Sequence, residues 1–536
     1  MINSVVEPAA ALETIIDGRT VLGIELGSTR IKGVLLDERQ RPIASGTHSW
    51  ENEFRDGVWT YPLSAADDGV RQCMAALLDD VRRRYDVDLT TVASLGISGM
   101  MHGYLAFDED GELLVPFRTW RTTTTQVAAD RLTAEFGANL PLRWSIAHLY
   151  QAMLDREDHL ERLARITTLA GYIHGRLTGE FVIGICEASG MCPVDTTTRD
   201  WDATVVARFD ELAAVEGFPL SLGSVLPRVL CAGDPAGELS EQGALFLDPT
   251  GQFRPGAPLC PPEGDAGTGM VATNTVAPRT ANVSAGTSIF TMAVLTEPLH
   301  GLGPEIDQMA TPGGDPCVMV HCNNGASELH AWARLFSEFA AATGHPLTDA
   351  TVFGALFGAA RDGAVDGGGL LAYNYLSGEP LTGLDAGRPL VLRTPDGRFD
   401  LGTFVRTQLY SALATLRLGM DVLSEHGVEI DGILAHGGMF ATPGVAQEIL
   451  AAALDIPVAV GETAAEGGAW GVALLASYLV RARDGETLAE FLARTAFADA
   501  SFVTVEPDPM QVQGFATFLQ RYRTGLAIER AAVEHS

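Results

Sequence analysis

Residues 23–33 read G-I-E-L-G-S-T-R-I-K-G. An apolar, β-rich run, 21–26, meets the turn Gly27-Ser28-Thr29-Arg30, and a second apolar run, 31–36, leads away from it. That is a hairpin. Two residues stand out in it. Glu25 is an acid between Ile24 and Leu26, and Lys32 is the only lysine in 536 residues. A carboxylate in an apolar strand requires a charge partner, hydrogen bonds or a metal. Hydrated Mg2+ beside phosphates meets that requirement, because it is held by one or two carboxylates and its waters. A strand-edge acid facing solvent is the competing reading. Lys32 lies three residues past Thr29, within reach of a phosphate oxygen as a mobile point charge; a solvated strand lysine is the alternative. The shortage of lysine elsewhere is put down to a coding bias toward arginine.

The pattern extends outward from the hairpin. A turn at 37–40 leads to a third strand at 42–50. A helix over 67–85 follows, with Val70, Met74, Leu77, Leu78 and Val81 on one face. A buried strand at 92–97 ends in the loop 98–103, so the opening region reads β-β-β-α-β. Helix is expected over 144–163. The stretch 235–265 is rich in Pro and Gly and reads as loops. The hairpin pattern then restarts: 281–284, the turn Gly286-Thr287-Ser288, and 289–295. Strand, Gly-hydroxyl-hydroxyl turn, strand is thus repeated, which predicts two related halves. Beyond it come a strand at 318–322, helices at 328–341 and 403–425, a strand at 433–436, Gly437-Gly438 and a helix at 444–454.

Glycine in a tight turn lets backbone N–H groups approach an anion, and Ser and Thr hydroxyls add donors, so both turns read as phosphate cradles. Asp265, in E-G-D-A-G-T-G, is placed in a glycine-flanked loop where a carboxylate can take the proton of a substrate hydroxyl; an ordinary turn Asp is the alternative. Gly437-Gly438-Met439, between a strand and a helix, leaves room for a flat purine or its ribose. Neither a G-x-G-x-x-G at the first βα unit nor a G-x-x-x-x-G-K-[ST] occurs, so a Rossmann dinucleotide site and a Walker loop are not supported.

Hydrophobic content of 46% with 19% charge describes a well-packed globular chain long enough for two to four domains. A net charge of −32 argues against nucleic acid and against an anionic membrane as partners. Seven scattered cysteines, with no C-x2-C pair, read as core thiols in a reducing compartment. The first ten residues lack the pattern of a signal peptide, and the apolar run 467–480 is too short to span a bilayer and reads as a buried helix. The expected location is the cytoplasm. Oligomeric state is not legible, and a homodimer is one arrangement left open.

Taken together, the motifs resemble the FGGY family of carbohydrate kinases from about residue 21 to 478. G-I-E-L-G-S-T-R-I-K-G-V-L-L-D is similar to the family's first phosphate motif, and I-S-G-M-M-H-G (97–103) to the sugar-side motif of xylulokinases. H-G-R-L-T-G-E (174–180), G-D-A-G-T-G (264–269), N-V-S-A-G-T-S (282–288), Y-L-S-G-E (375–379) and G-G-M-F-A-T-P (437–443) follow in the family's order. The resemblance implies an α/β protein of two ribonuclease H-like (actin-like ATPase) domains with a cleft between them. It implies an extension at 1–20, a sugar- and phosphate-side domain at 21–274, and an adenosine-side domain at 275–536. It further implies ATP and Mg2+ as cofactors and a small-molecule sugar as substrate. Asp265 would be the catalytic base. Gly27, Ser28, Thr29, Lys32, Gly286, Thr287, Ser288, Gly437, Gly438 and Met439 would bind the nucleotide, and Glu25 the metal. Met101, His102, Trp120, Arg121 and Asp265 would meet the sugar, a ketopentose such as D-xylulose. Another ketose or polyol (ribulose, erythritol) is an open alternative, as is a non-catalytic actin-like ATP-binding sensor. Four departures mark the sequence. Glu25 stands where the family usually has Asp, and Ala266 where xylulokinases usually have Asn. Trp120-Arg121-Thr122-Thr123-Thr124 replaces W-x-D-x-R, and P-L-R-W (141–144) replaces P-K-L-L-W.

Overall fold

A computed structural model of the chain describes residues 8–536 apart from 56, 300, 302, 304–305, 443 and 462–466. Of the N-terminal extension, Pro8–Ile16 form a helix. Residues 1–7, on which the leader reading rests, and Pro443 of the adenosine motif lie outside the described residues. The chain divides into two compact units. The first is Met1–Pro278 with Thr296–Val318 and Ala465–Ala500; the second is Arg279–Leu295 with Met319–Ala464 and Ser501–Ser536. No helix among the described residues is long and apolar enough to cross a membrane.

The first unit is built on a five-stranded sheet. Its strands are β1 (Val21–Leu26), β2 (Arg30–Leu36), β3 (Pro42–Ser49), β4 (Ser94–Gly99) and β5 (Glu263–Gly264), in the order β5-β4-β1-β2-β3. β1, β2 and β3 form an antiparallel meander, while β4 and β5 add in parallel. Helix α1 (Leu63–Tyr85) covers one face. Helix α2 (Asp265–Ala272) follows β5 directly, and α3 (Gly467–Arg481) packs on the other face. Side chains alternate along β1: Leu22, Ile24 and Leu26 share one face and join the core with Ile31, Leu35, Val70 and Leu77, while Val21, Gly23 and Glu25 share the face that meets α3. Each such side chain removed from water contributes about 1.5–3 kcal/mol. Two glycines set how close the helices come. A Cβ on Gly23 would strike the backbone of Ala469 and Ala473 in α3, and one on Gly46 the backbone of Cys73 in α1.

The second hairpin repeats this topology. β6 (Thr280–Ala285) and β7 (Ile289–Val294) pair antiparallel, and β10 (Gly432–His436) adds to β6 in parallel. With β8 (Ile306–Ala310), β9 (Pro316–Cys322), β11 (Val458–Gly461) and β12 (Phe502–Val505), the sheet order is β8-β9-β7-β6-β10-β11-β12. Reading β9-β7-β6-β10-β11 against β3-β2-β1-β4-β5 gives the same third-second-first-fourth-fifth order in both units. The internal repeat expected from two Gly-hydroxyl turns is therefore a repeat of the whole sheet core.

Two local expectations are corrected. The helix expected over 144–163 ends at Leu154, where Asp155 and the left-handed Arg156 (φ 54°) stop it; a separate 3-10 turn, Asp158–Arg162, follows. The glycine-flanked Asp265 is not in a loop: it is the first residue of α2, capped by Gly264. The glycines there permit packing. Gly267 lies against Cys186, and Gly471 of α3 lies directly on Thr268 of α2.

Candidate active site

Register across the first sheet assembles a polar row. Thr47, Lys32, Glu25, Ser98 and Glu263 are successive neighbours on β3, β2, β1, β4 and β5. β1 is paired on both sides, so the strand-edge reading of Glu25 does not hold. Its carboxylate is half-buried and meets the start of α3, where Ala469 N–H donates to Oε2 at 3.1 Å. A helix N-terminus favours an anion. Gly468 leaves the space that Glu25 Oε1 occupies, since a Cβ there would collide with it. Even so, burial, and after it the charge of Asp265, push the Glu25 pKa up to about 7. The amides of Ala469 and Gly468 and the Lys32 ammonium act in the opposite direction. Lys32 is thus opposite Glu25 across the two strands, partly exposed, and its charge acts on that carboxylate.

Asp265 keeps exposed surface, while the dense protein around its carboxyl raises its pKa. Met101 N–H donates to Asp265 Oδ1 at 3.1 Å, which ties the loop 98–103 to this acid. His102, next in the loop, is strained into the left-handed region (φ 72°), a conformation that clusters at functional sites. Its Nδ1 lies 3.0 Å from Gly190 O. A carbonyl only accepts, so Nδ1 carries the proton. Two further acids lie behind. Glu187 and Glu263 are both buried, and Glu263 Oε2 accepts the Glu187 amide at 2.9 Å. Burial holds Glu187 well above the usual carboxylate range and pushes Glu263 up to about 8.

The raised Glu263 pKa gives a stability prediction. The proton it holds when folded favours the folded state fully below the unfolded pKa near 4.5, and this is lost as pH rises through 8. Glu263→Gln mimics the protonated acid. Its melting temperature relative to the parent is expected to rise from pH 5 to pH 8, by on the order of 1 kcal/mol of stability per pH unit. Parallel melting curves across that range would refute this.

The Gly27–Thr29 turn is held by its carbonyls. Trp50 Nε1 donates to Gly27 O at 2.7 Å, Tyr61 OH to Ser28 O at 2.6 Å, and Trp50 N–H to Thr29 O at 3.2 Å. In a trans peptide the N–H points opposite the C=O, so the amides of Ser28, Thr29 and Arg30 face away from this anchor. Trp50 and Tyr61 rings pack at 4.4 Å. Arg121 joins the same side, its guanidinium 4.3 Å from the Trp59 ring centroid and close enough to Tyr61 to lower that hydroxyl's pKa against the larger effect of burial. Trp120 is exposed, with Arg121 5.8 Å over its ring. The structure thus brings Glu25 within electrostatic reach of both Lys32 and Asp265, ties Met101, with His102 next to it, to Asp265, and sets Arg121, over Trp120, near Tyr61 of the Gly27–Thr29 anchor.

The remaining candidates lie in the second unit. Gly286 N–H closes its turn on Ser288 O at 2.9 Å. Gly437, at φ 103°, lies on Ala285 at the end of β6, where a Cβ would strike the carbonyl. Gly438 faces open space, and Met439 is buried. The Gly286–Ser288 turn and Gly437–Met439 therefore meet at the same end of β6 and β10. Among the described residues, no group of three or more His, Cys, Asp or Glu side chains is placed to hold a metal.

The N-terminal domain of the FGGY family of carbohydrate kinases matches residues 20–247, and its C-terminal domain matches residues 281–480. The chain belongs to the FGGY family of carbohydrate kinases. Its enzyme class follows from that membership: it is a sugar phosphotransferase, and ATP use is implied for it as a kinase. A xylulose kinase of Haemophilus influenzae is 22% identical over 522 residues, covering 94% of this chain and 99% of that one. Among solved structures, a ligand-bound xylulose kinase from Lactobacillus acidophilus aligns with a TM-score of 0.78 at 18% identity, over 95% of this chain and 98% of that one. A gluconate kinase from the same organism aligns as well: TM-score 0.79, 17% identity, 97% and 100% coverage. These likenesses share the actin/hexokinase-like kinase fold, and two different named substrates on one fold leave the sugar to side chains. Trp50, Tyr61, Gly468, Ala469, Glu187 and Glu263 were not among the residues expected from sequence. The Gly-Gly pair opening an apolar run at 467 was the one signal that pointed to any of them.

Proposed function

We propose that this FGGY kinase transfers the γ-phosphate of ATP to a hydroxyl of a ketopentose, D-xylulose being the sugar toward which Met101-His102 points. The observation that carries the reading is the Met101 amide on Asp265 Oδ1, which couples the sugar-side loop to the acid. In this reading Asp265 orients a sugar hydroxyl and takes its proton, and Met101 and His102 meet the sugar beside it. Ser28, Thr29 and Lys32 bind phosphate in the first unit, as do Gly286, Thr287 and Ser288 in the second. Gly437, Gly438 and Met439 line the adenosine. Residues 21–274 carry the sugar side and the base, and 275–536 the adenosine side.

Mg2+ fits the donor set. Glu25 is a carboxylate that burial and a second negative charge leave poorly compensated, and Mg2+ takes one or two carboxylates plus water and phosphate oxygens. When bound, it neutralises charge developing on the transferred phosphoryl group. The test is ADP release over ketoses, aldoses and polyols, with ribulose and erythritol included because Ala266 offers the sugar no side-chain hydrogen bond. Turnover is expected to be stimulated most by D-xylulose. A stronger response to a non-ketose would reassign the substrate, and no response to any sugar would overturn the reading.

A further inference from the structure

The motif Tyr375–Glu379 has no role in the reading above, yet it surrounds one residue. Asn324 is 4% exposed. Its Oδ1 accepts from the amides of Leu376 (2.9 Å) and Ser377 (3.1 Å). Its Nδ2 donates to Glu379 Oε2 at 3.1 Å and to Ser377 O at 3.2 Å. Glu379 is fully buried, and the same Oε2 also accepts the Asn324 amide at 3.2 Å. Asn374 Nδ2 donates to both Asn324 O and Gly325 O at 2.9 Å. The segment clamped in this way lies beneath the second phosphate turn. Gly325 N–H donates to Thr287 O and Ala326 N–H to Gly286 O, each at 2.8 Å. A Cβ on Gly325 would stand 2.7 Å from Gly286 O. Holding both turn carbonyls from below directs the amides of Thr287 and Ser288 the other way, as Trp50 and Tyr61 do for the first turn.

We propose that Asn324 and Glu379 are positioning residues for nucleotide phosphate: through Gly325 and Ala326 they fix the Gly286–Ser288 turn with its amides outward. The inference rests on the reading that this turn binds ATP phosphates. A positioning group acts only on the part of the ligand that meets the turn, so it separates phosphate binding from adenosine binding.

The test compares ADP and adenosine affinities by calorimetry on the full chain. Glu379→Met removes the acceptor at similar size, Asn324→Asp removes the donors, and Gly325→Ala presses a methyl on the turn. Each is expected to weaken ADP about tenfold with adenosine unchanged. Glu379→Gln keeps one acceptor oxygen for Asn324 and is expected to bind ADP within about twofold of the parent. Parallel losses for ADP and adenosine, or unchanged ADP binding in folded variants, would overturn the proposal. The variant Ser288→Pro, which removes one of the outward amides, tests the underlying reading. If it alone weakens ADP, the clamp falls and the turn stands; if it leaves ADP unchanged, the phosphate role of the turn falls and the clamp with it. Should Glu379→Met fail to fold, Gly325→Ala, which leaves every clamp side chain in place, decides the outcome.

Discussion

Asp265→Asn is expected to lower kcat by about 10²–10⁴-fold, the usual contribution of a positioned general base, with KM for ATP and sugar within a few-fold of the parent. The amide keeps an oxygen to accept the Met101 N–H, so the sugar-side loop stays in place. What is lost is the ability to take a proton. The same change removes the negative charge that pushes the Glu25 pKa up, so the melting temperature is expected to hold or rise. Coupled ADP-release kinetics and a melting curve on the same preparation check both halves. Retained turnover would remove Asp265 from the role of base. Loss of sugar affinity with kcat preserved would make it a binding residue instead. ATP binding with no sugar-stimulated turnover in the parent itself would favour a sensor over a kinase.

What was legible in the sequence, and what was not, follows from the range of the interactions. The β1-β2 hairpin was readable because two apolar runs flank a Gly-Ser-Thr turn, and its copy at Gly286 exposed the repeat. The anchor of that turn was not readable: Trp50 and Tyr61 donate from 23 and 33 residues away, and no local pattern marks an aromatic as a donor to a distant carbonyl. The chemistry of Asp265 is legible in its motif, but its place at the head of a helix is not. Glycine lowers helix propensity, and that prior lost to packing, since α2 can lie on α3 only where Gly471 leaves room for Thr268, and against Cys186 only where Gly267 has no side chain. The partner of Glu25 on α3 is 444 residues along the chain. Strand register then supplied what sequence spacing could not, by setting Lys32 and Glu25 opposite one another.

Glu25→Gln is expected to cost about 10²-fold in Mg2+-dependent turnover and to raise the Mg2+ concentration needed for half-maximal rate. The variant keeps a carbonyl oxygen for the Ala469 amide, so the contact with α3 and the fold are preserved, and the loss reports the missing charge alone. Glu25→Asp is the informative counterpart. It keeps the charge but retracts it by one methylene, roughly 1.5 Å, so the carboxylate gives up the Ala469 amide at the N-terminus of α3. That contact is a charge-assisted hydrogen bond at a helix start, worth about 1–2 kcal/mol, so Glu25→Asp is expected to melt lower while its Mg2+-dependent turnover stays within a few-fold of the parent. Rate against Mg2+ concentration for the three proteins, with melting temperatures beside it, separates the two functions of this one carboxylate. Equal rates in Glu25→Gln and the parent at every Mg2+ concentration would leave Glu25 as an anchor for α3 and nothing more. A Glu25→Asp variant as inactive as Glu25→Gln would show that reach matters as much as charge. The extra methylene would then be what lets one acid meet both the helix and the metal.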